Sequence, residues 1–155
     1  TANYSMDVVG GTASIGMSYT RILEQGIIPL QGEPVNNLGG EVGYPNNKGF
    51  VTVGYDTGPF SLTATGTYIG KTYLDDIWIE SNFGTNVNMD DFKVSPIFYT
   101  DLQLKYTVAD TYDLYVGVNN LFDTAPPPIW SGLPGGTSSY DQIGRRFYFG
   151  VRATF

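Results

Sequence analysis

The last eleven residues, Arg145 to Phe155, alternate strictly in character. Phe147, Phe149, Val151, Ala153 and Phe155 fall on one side of an extended chain and Arg146, Tyr148, Gly150, Arg152 and Thr154 on the other, because successive strand side chains point to opposite faces. A soluble sandwich strand alternates in the same way. The length, however, matches the roughly 9–11 residues that a tilted strand needs to cross a bilayer, and aromatics stand near both ends of the apolar row, where membrane barrels carry their interfacial girdles.

The same rhythm recurs upstream. Ala2, Tyr4 and Met6 alternate with polar neighbours over residues 1–7, and Ala13, Ile15, Met17 and Tyr19 do so within residues 12–24. Further strands are predicted around Val51, Val53 and Tyr55, and around Phe60, Leu62, Ala64 and Tyr68, whose other face is hydroxyl-rich. Phe98, Leu102, Leu104 and Tyr106 mark a sixth-from-last decade of the chain that is again extended, and Tyr112, Leu114, Val116 and Val118 bring it back. With the terminal strand the total is seven.

The connections separate into two kinds. Residues 8–11, 56–59 and 109–111 are tight turns, whereas 25–47, 72–96 and 123–144 are long and read as irregular, with Gly, Pro and amide residues in abundance. Short turns alternating with long loops are the pattern of outer-membrane barrels, in which the short turns are periplasmic and the long loops external. Seven antiparallel strands do not close, and an open sheet in lipid leaves backbone groups unpaired at both edges, at several kcal/mol per group by order of magnitude. The expectation is therefore an all-β, antiparallel transmembrane barrel segment, with residues 1–155 forming the C-terminal part of a larger barrel.

Composition agrees. Charged residues make up 15% of the chain, against roughly 25% in an ordinary globular protein, while it holds 12 Tyr, 9 Phe and 20 Gly. Mean hydropathy is only −0.12, as alternation produces, and no apolar run is long enough for a membrane-spanning helix. A net charge of −7 argues against a nucleic-acid surface, which needs clustered Lys and Arg. Without Cys or His, this chain offers no disulfide, thiolate or imidazole chemistry, and no cofactor or metal is assigned to it. No glycine-rich loop opening a helix supports nucleotide binding.

The segment before the last strand narrows the reading. Val116-Gly117-Val118-Asn119-Asn120-Leu121-Phe122-Asp123 resembles the penultimate strand of TonB-dependent outer-membrane receptors, and Tyr140-Asp141 followed by Gly144-Arg145-Arg146 resembles the entry into their last strand. The resemblance is carried by about the last fifty residues; the rest agrees in rhythm only. It implies a 22-stranded barrel with a plug domain inside it, import of a scarce solute (an iron chelate, cobalamin or an oligosaccharide), and energy supplied through TonB. It also implies a Gram-negative outer membrane, contact with its lipid, and Phe147, Phe149, Val151, Ala153 and Phe155 as the signal read by the barrel-assembly machinery. Asn119 and Asn120 are read as structural.

Candidate site residues lie on the long loops, where binding residues on rigid scaffolds concentrate. Asp75, Asp76, Glu80, Asp90 and Asp91 form an acidic stretch that is either a solvated face or a set of oxygen ligands for a cation, although the spacing matches no calcium loop. Tyr73, Trp78 and Phe83 in one loop and Trp130 and Tyr140 in another are candidates to stack on a flat ligand or a sugar face. Tyr and Trp near strand ends also build interfacial belts, but Trp78 and Trp130 lie too far from the strands for that, which leaves binding or loop packing. Arg146 and Arg152 are expected to face the lumen and pair with plug carboxylates, and Asp101 and Lys105 to neutralise each other. Two other classes compete: a small self-contained barrel with a structural or adhesive role, and an outer-membrane enzyme, for which this chain lacks a His.

Overall fold

The computed structural model describes residues 1–109, 111–129 and 139–154, so Trp130 and Phe155 lie outside the described residues. In chain order the elements are β1 (Ala2–Val8), β2 (Gly11–Arg21), β3 (Gly26–Ile27), β4 (Asn36–Asn37), β5 (Asn47–Thr57), β6 (Phe60–Ile69), β7 (Thr72–Tyr73), α1 (Asp76–Phe83), a 3-10 turn (Met89–Phe92), β8 (Lys93–Val94), β9 (Ile97–Val108), β10 (Tyr112–Asn119) and β11 (Arg146–Ala153). Seven strands form one antiparallel meander in the order β1-β2-β5-β6-β9-β10-β11, and the short strands make two separate two-residue ladders. All seven predicted strands are present, and the fold is that of a barrel segment. The second strand ends at Arg21, before Ile22 turns to bond the carbonyl of Asn46.

Register explains why the alternation in the sequence becomes a surface. Phe149 pairs with Val116, Val116 with Leu104, Leu104 with Leu62, Leu62 with Tyr55, Tyr55 with Ala13 and Ala13 with Met6. One row therefore runs apolar across the whole sheet, the row beside it through Phe147 does the same as far as Tyr4, and the row through Val151 stays apolar to Phe60 before meeting Thr57. That face is bare: Phe147 is 77% and Phe149 88% exposed. A slip of one residue at any pairing would move a whole strand's apolar set to the polar side. On the opposite face Tyr148, Gly117, Gln103, Thr63, Gly54, Ser14 and Ser5 stand in register. Tyr148 and Tyr115 each lie against the glycine across the strand pair, Gly117 and Gly150 respectively, where a β-carbon would collide with the ring.

The buried core is at the end of the sheet that carries the long loops. Val42, Ile69, Val94, Tyr99 and Tyr140 form it, with Leu74, Ile97 and Ile129 packed against it. Burying Ile69 or Val42, each 1% exposed, stabilises by roughly 1.5–3 kcal/mol, so this cluster draws the three loops onto the strand ends as a cap. At the other end the strands are joined by the tight turns.

Candidate functional site

The cap is assembled from residues of all three long loops. Between the first and second, the amide of Val42 donates to the carbonyl of Tyr73 at 2.8 Å and the amide of Tyr73 to that of Gly40 at 2.9 Å, a short bridge that sets Glu41 beside Tyr73. The third loop joins through Ser139, whose hydroxyl donates to the Gly43 carbonyl, and through a 3.0 Å hydrogen bond between the hydroxyls of Tyr140 and Thr72.

The second loop is not irregular throughout, as its composition suggested. Asp75 accepts from the amide of Trp78 at 2.6 Å and so caps α1, satisfying one of the unpaired donors that begin any helix. Gly84, at φ 85°, ends it. Only Ile79 of the helix is buried, so α1 is held by its caps and that one side chain more than by an apolar stripe.

Several candidates change character in this setting. Asp75 is 5% exposed and is a helix cap, and Tyr140, 6% exposed, is a core ring, so both side chains already have a structural part within this chain. Asp76 and Glu80 are exposed on α1. Tyr73 is half-buried, with the Lys71 ammonium 5.4 Å from its ring centre and 3.1 Å from its hydroxyl. Trp78 is half-buried and meets Phe83 edge-on at 5.8 Å. Phe83 in turn lies 5.1 Å from Phe92. These three rings, with Leu74, Val94 and Ile129, surround a cavity of about 290 Å³ between the second and third loops, with Asp91 and Lys93 at its edge.

Arg146 does not wait for a carboxylate from elsewhere: it bonds Asp141 of this chain at 2.7 Å. Arg152 forms no ion pair among the described residues and stands opposite Asp113 in register. Asp101 is not neutralised by Lys105 but accepts from the amide of Asn120 at 2.8 Å. The motif residues thus form one lock. Asn120, 1% exposed and at φ 53°, uses its side chain to accept from the Thr124 amide and to donate to the Thr124 carbonyl and to Asp141. Asp123, at φ 55°, accepts from the amide of Arg145 at 2.9 Å. Asn and Asp tolerate this left-handed backbone better than other residues with a β-carbon, which is why they stand at the corner between β10 and β11. Burial opposes the Asp141 charge, yet the hydrogen bonds from Arg146, the Ile143 amide and Asn120 prevail and hold its pKa below the ordinary carboxylate value.

One residue escaped the sequence reading. Glu41 is 7% exposed, and burial, followed by the charges of Asp75 and Asp76, raises its pKa to about 7. Its Oε1 has no hydrogen-bond partner. It belongs to a glycine-rich loop without periodicity, and only the folded contact with the second loop makes it unusual. Among the described residues no three acidic side chains converge as a metal site would require.

The class that this architecture defines is an antiparallel β-barrel segment, and its fold is like that of part of a receptor barrel. Among solved structures, the ferric enterobactin receptor of Pseudomonas aeruginosa, in a doubly substituted form, matches 99% of the chain with a TM-score of 0.56 and 19% identity, over 21% of its own length. A singly substituted form of that receptor in complex with enterobactin matches with a TM-score of 0.56 and 20% identity, covering 99% of this chain and 22% of the receptor. A second such complex gives 0.55 and 20%, with the same coverage. The chain thus spans about a fifth of the length of the receptor it resembles. No protein-family model and no curated protein sequence matches it.

Proposed function

We propose that this chain is the C-terminal seven strands of a TonB-dependent receptor in the outer membrane of a Gram-negative cell, importing a scarce solute. The observation that carries the proposal is the apolar row continuous across seven strands, with Phe149, Val116, Leu104, Leu62 and Met6 exposed along it, on a sheet whose two edge strands, β1 and β11, each have one neighbour. A soluble monomer rarely leaves so large an apolar face bare, whereas lipid covers it and further strands complete the edges. In this reading the remainder is a 22-stranded wall with a plug inside, TonB acts on the plug, and the barrel-assembly machinery recognises the terminal strand. The roles of this segment are wall and solute-side loops, with no covalent chemistry.

The aromatic cavity between the second and third loops is the part of this segment best suited to touch solute. Its rings offer faces to a flat or sugar-like group, and replacing Trp78 by Ala should weaken solute binding. Iron chelates, cobalamin and oligosaccharides all fit the class. The net charge of −7 and the acidic loops favour a neutral or sugar-like solute over a strongly anionic ferric siderophore, since like charges repel at entry.

Native and denaturing mass measurements on the detergent-purified species test the proposal. The expected native mass is several times the 16.9 kDa of this chain, with a plug sequence in the remainder. A folded 16.9 kDa monomer would overturn it in favour of a self-contained barrel.

A further inference from the structure

A second cavity, of about 320 Å³, lies at the seam of the first and second loops, away from the aromatic one. Glu41 and Asp76 stand on its wall, with Tyr73, Leu74 and Met89 beside them. Asp76 is exposed at the opening and Glu41 is buried behind it, so the two carboxylates are met in sequence by anything entering. Neither forms an ion pair among the described residues. Oε1 of Glu41, shut off from solvent, has no hydrogen-bond donor, and a buried acceptor left in this state is costly. Lys71, on the approach to β7, is committed to the ring and hydroxyl of Tyr73.

We propose that this cavity binds a primary ammonium or guanidinium group carried on a slim alkyl stem. Glu41 already hydrogen bonds to Asp76, and the head supplies the one donor that its Oε1 lacks and the positive charge that two adjacent carboxylates call for, while Leu74, Met89 and the ring of Tyr73 receive the methylenes. A metal ion fits less well, because calcium needs six to eight oxygens and no three acidic side chains converge among the described residues. The site does not depend on the import proposal, since it is complete within two loops of this chain.

Burial sets the charge state of Glu41 first, followed by Asp75 and Asp76 at the start of α1; Tyr73 and, on its approach, Lys71 are the titratable groups of the neighbouring strand. With its pKa raised to about 7, Glu41 must give up a proton to hold a cation at full strength. Binding should therefore release protons and tighten with rising pH.

Calorimetric titration of the whole protein in detergent with cadaverine and with agmatine tests this. Affinity should rise up to about tenfold between pH 6 and pH 8, and the apparent enthalpy at pH 7 should change with the ionisation enthalpy of the buffer. Glu41→Gln should lower affinity at pH 8 by tenfold or more, and Asp76→Asn by less. Met89→Lys, which tethers an ammonium in the cavity, should abolish amine binding even if the Glu41 variant fails to fold. Absence of binding, unchanged affinity in Glu41→Gln, or displacement of the amine by low-millimolar calcium chloride would overturn the proposal. Failure of import with amine binding intact would count against the transport reading alone.

Discussion

Asn120 and Glu41 are both buried in the cap, at 1% and 7% exposure, yet their surroundings differ in kind. Around Asn120 each side-chain donor and acceptor is answered by Thr124 or Asp141, and its amide is held by Asp101. Around Glu41 an acceptor is unanswered and two more carboxylates press on it. A satisfied buried network contributes rigidity, and an unsatisfied one stores free energy that a ligand or a proton can release. The first therefore reads as the joint that fixes β10 against β11, the second as the place where the loops respond to what arrives.

The largest effect should come from breaking the satisfied side. Asn120→Leu strands the Thr124 amide and carbonyl and places a branched side chain at φ 53°. The combined cost is about 3–5 kcal/mol. Denaturant unfolding in detergent should show the unfolding free energy fall by that amount; a loss below about 1 kcal/mol would mean that the corner is held by something else.

That joint was legible as a motif but not as a mechanism. The run Asn119-Asn120-Leu121-Phe122-Asp123 stood out in the sequence, and its reading as structure holds, but the partners Asp101 and Asp141 lie 19 and 21 residues from Asn120; the register of β9 with β10 brings in the first and the return of the third loop into β11 the second. The strands themselves were readable because each alternates over 7 to 12 residues, which only one pleated arrangement satisfies. The helix α1 was not, because Asp-Ile-Trp-Ile-Glu-Ser-Asn-Phe buries only Ile79 and has no stripe to detect. Glu41 was invisible for a related reason: nothing in Gly-Gly-Glu-Val-Gly announces that Asp75 and Asp76 will fold against it.

Relieving the unsatisfied side should have the opposite sign. Because the Glu41 pKa is raised from 4.5 to about 7, the closed seam prefers the neutral acid. Its full strength is present below pH 4.5, declines as pH rises to about 7, and is level beyond that. Glu41→Gln removes the ionisation and supplies a donor. Hydrogen exchange at the Val42 and Tyr73 amides, which bridge the loops, should slow by an amount equivalent to about 2 kcal/mol at pH 8, allowing for solvent screening, and should be unchanged near pH 4.5. Equal protection at both pH values would remove the contrast with Asn120.

The smallest effect belongs to the charge within the satisfied network, and it discriminates geometry from electrostatics. Asp141→Asn keeps the shape and an acceptor for the Ile143 amide but discharges the partner of Arg146 and turns the oxygen facing Asn120 into a donor, which costs the weak 3.3 Å bond between the two side chains. Since the Asp141 pKa is held below its ordinary 3.8, its contribution is present above that value and is lost as pH falls through the lowered one. Arg146 is 38% exposed, so water screens the pair and its contribution should be only about 1 kcal/mol at pH 7. Unfolding free energies of the variant and the parent should differ by that amount at pH 7 and converge only once pH has fallen below the lowered pKa of Asp141, where both side chains are neutral. If they differ equally at both pH values, the hydrogen-bond geometry around Asn120 carries the corner, and the ion pair only occupies space that the network already defines.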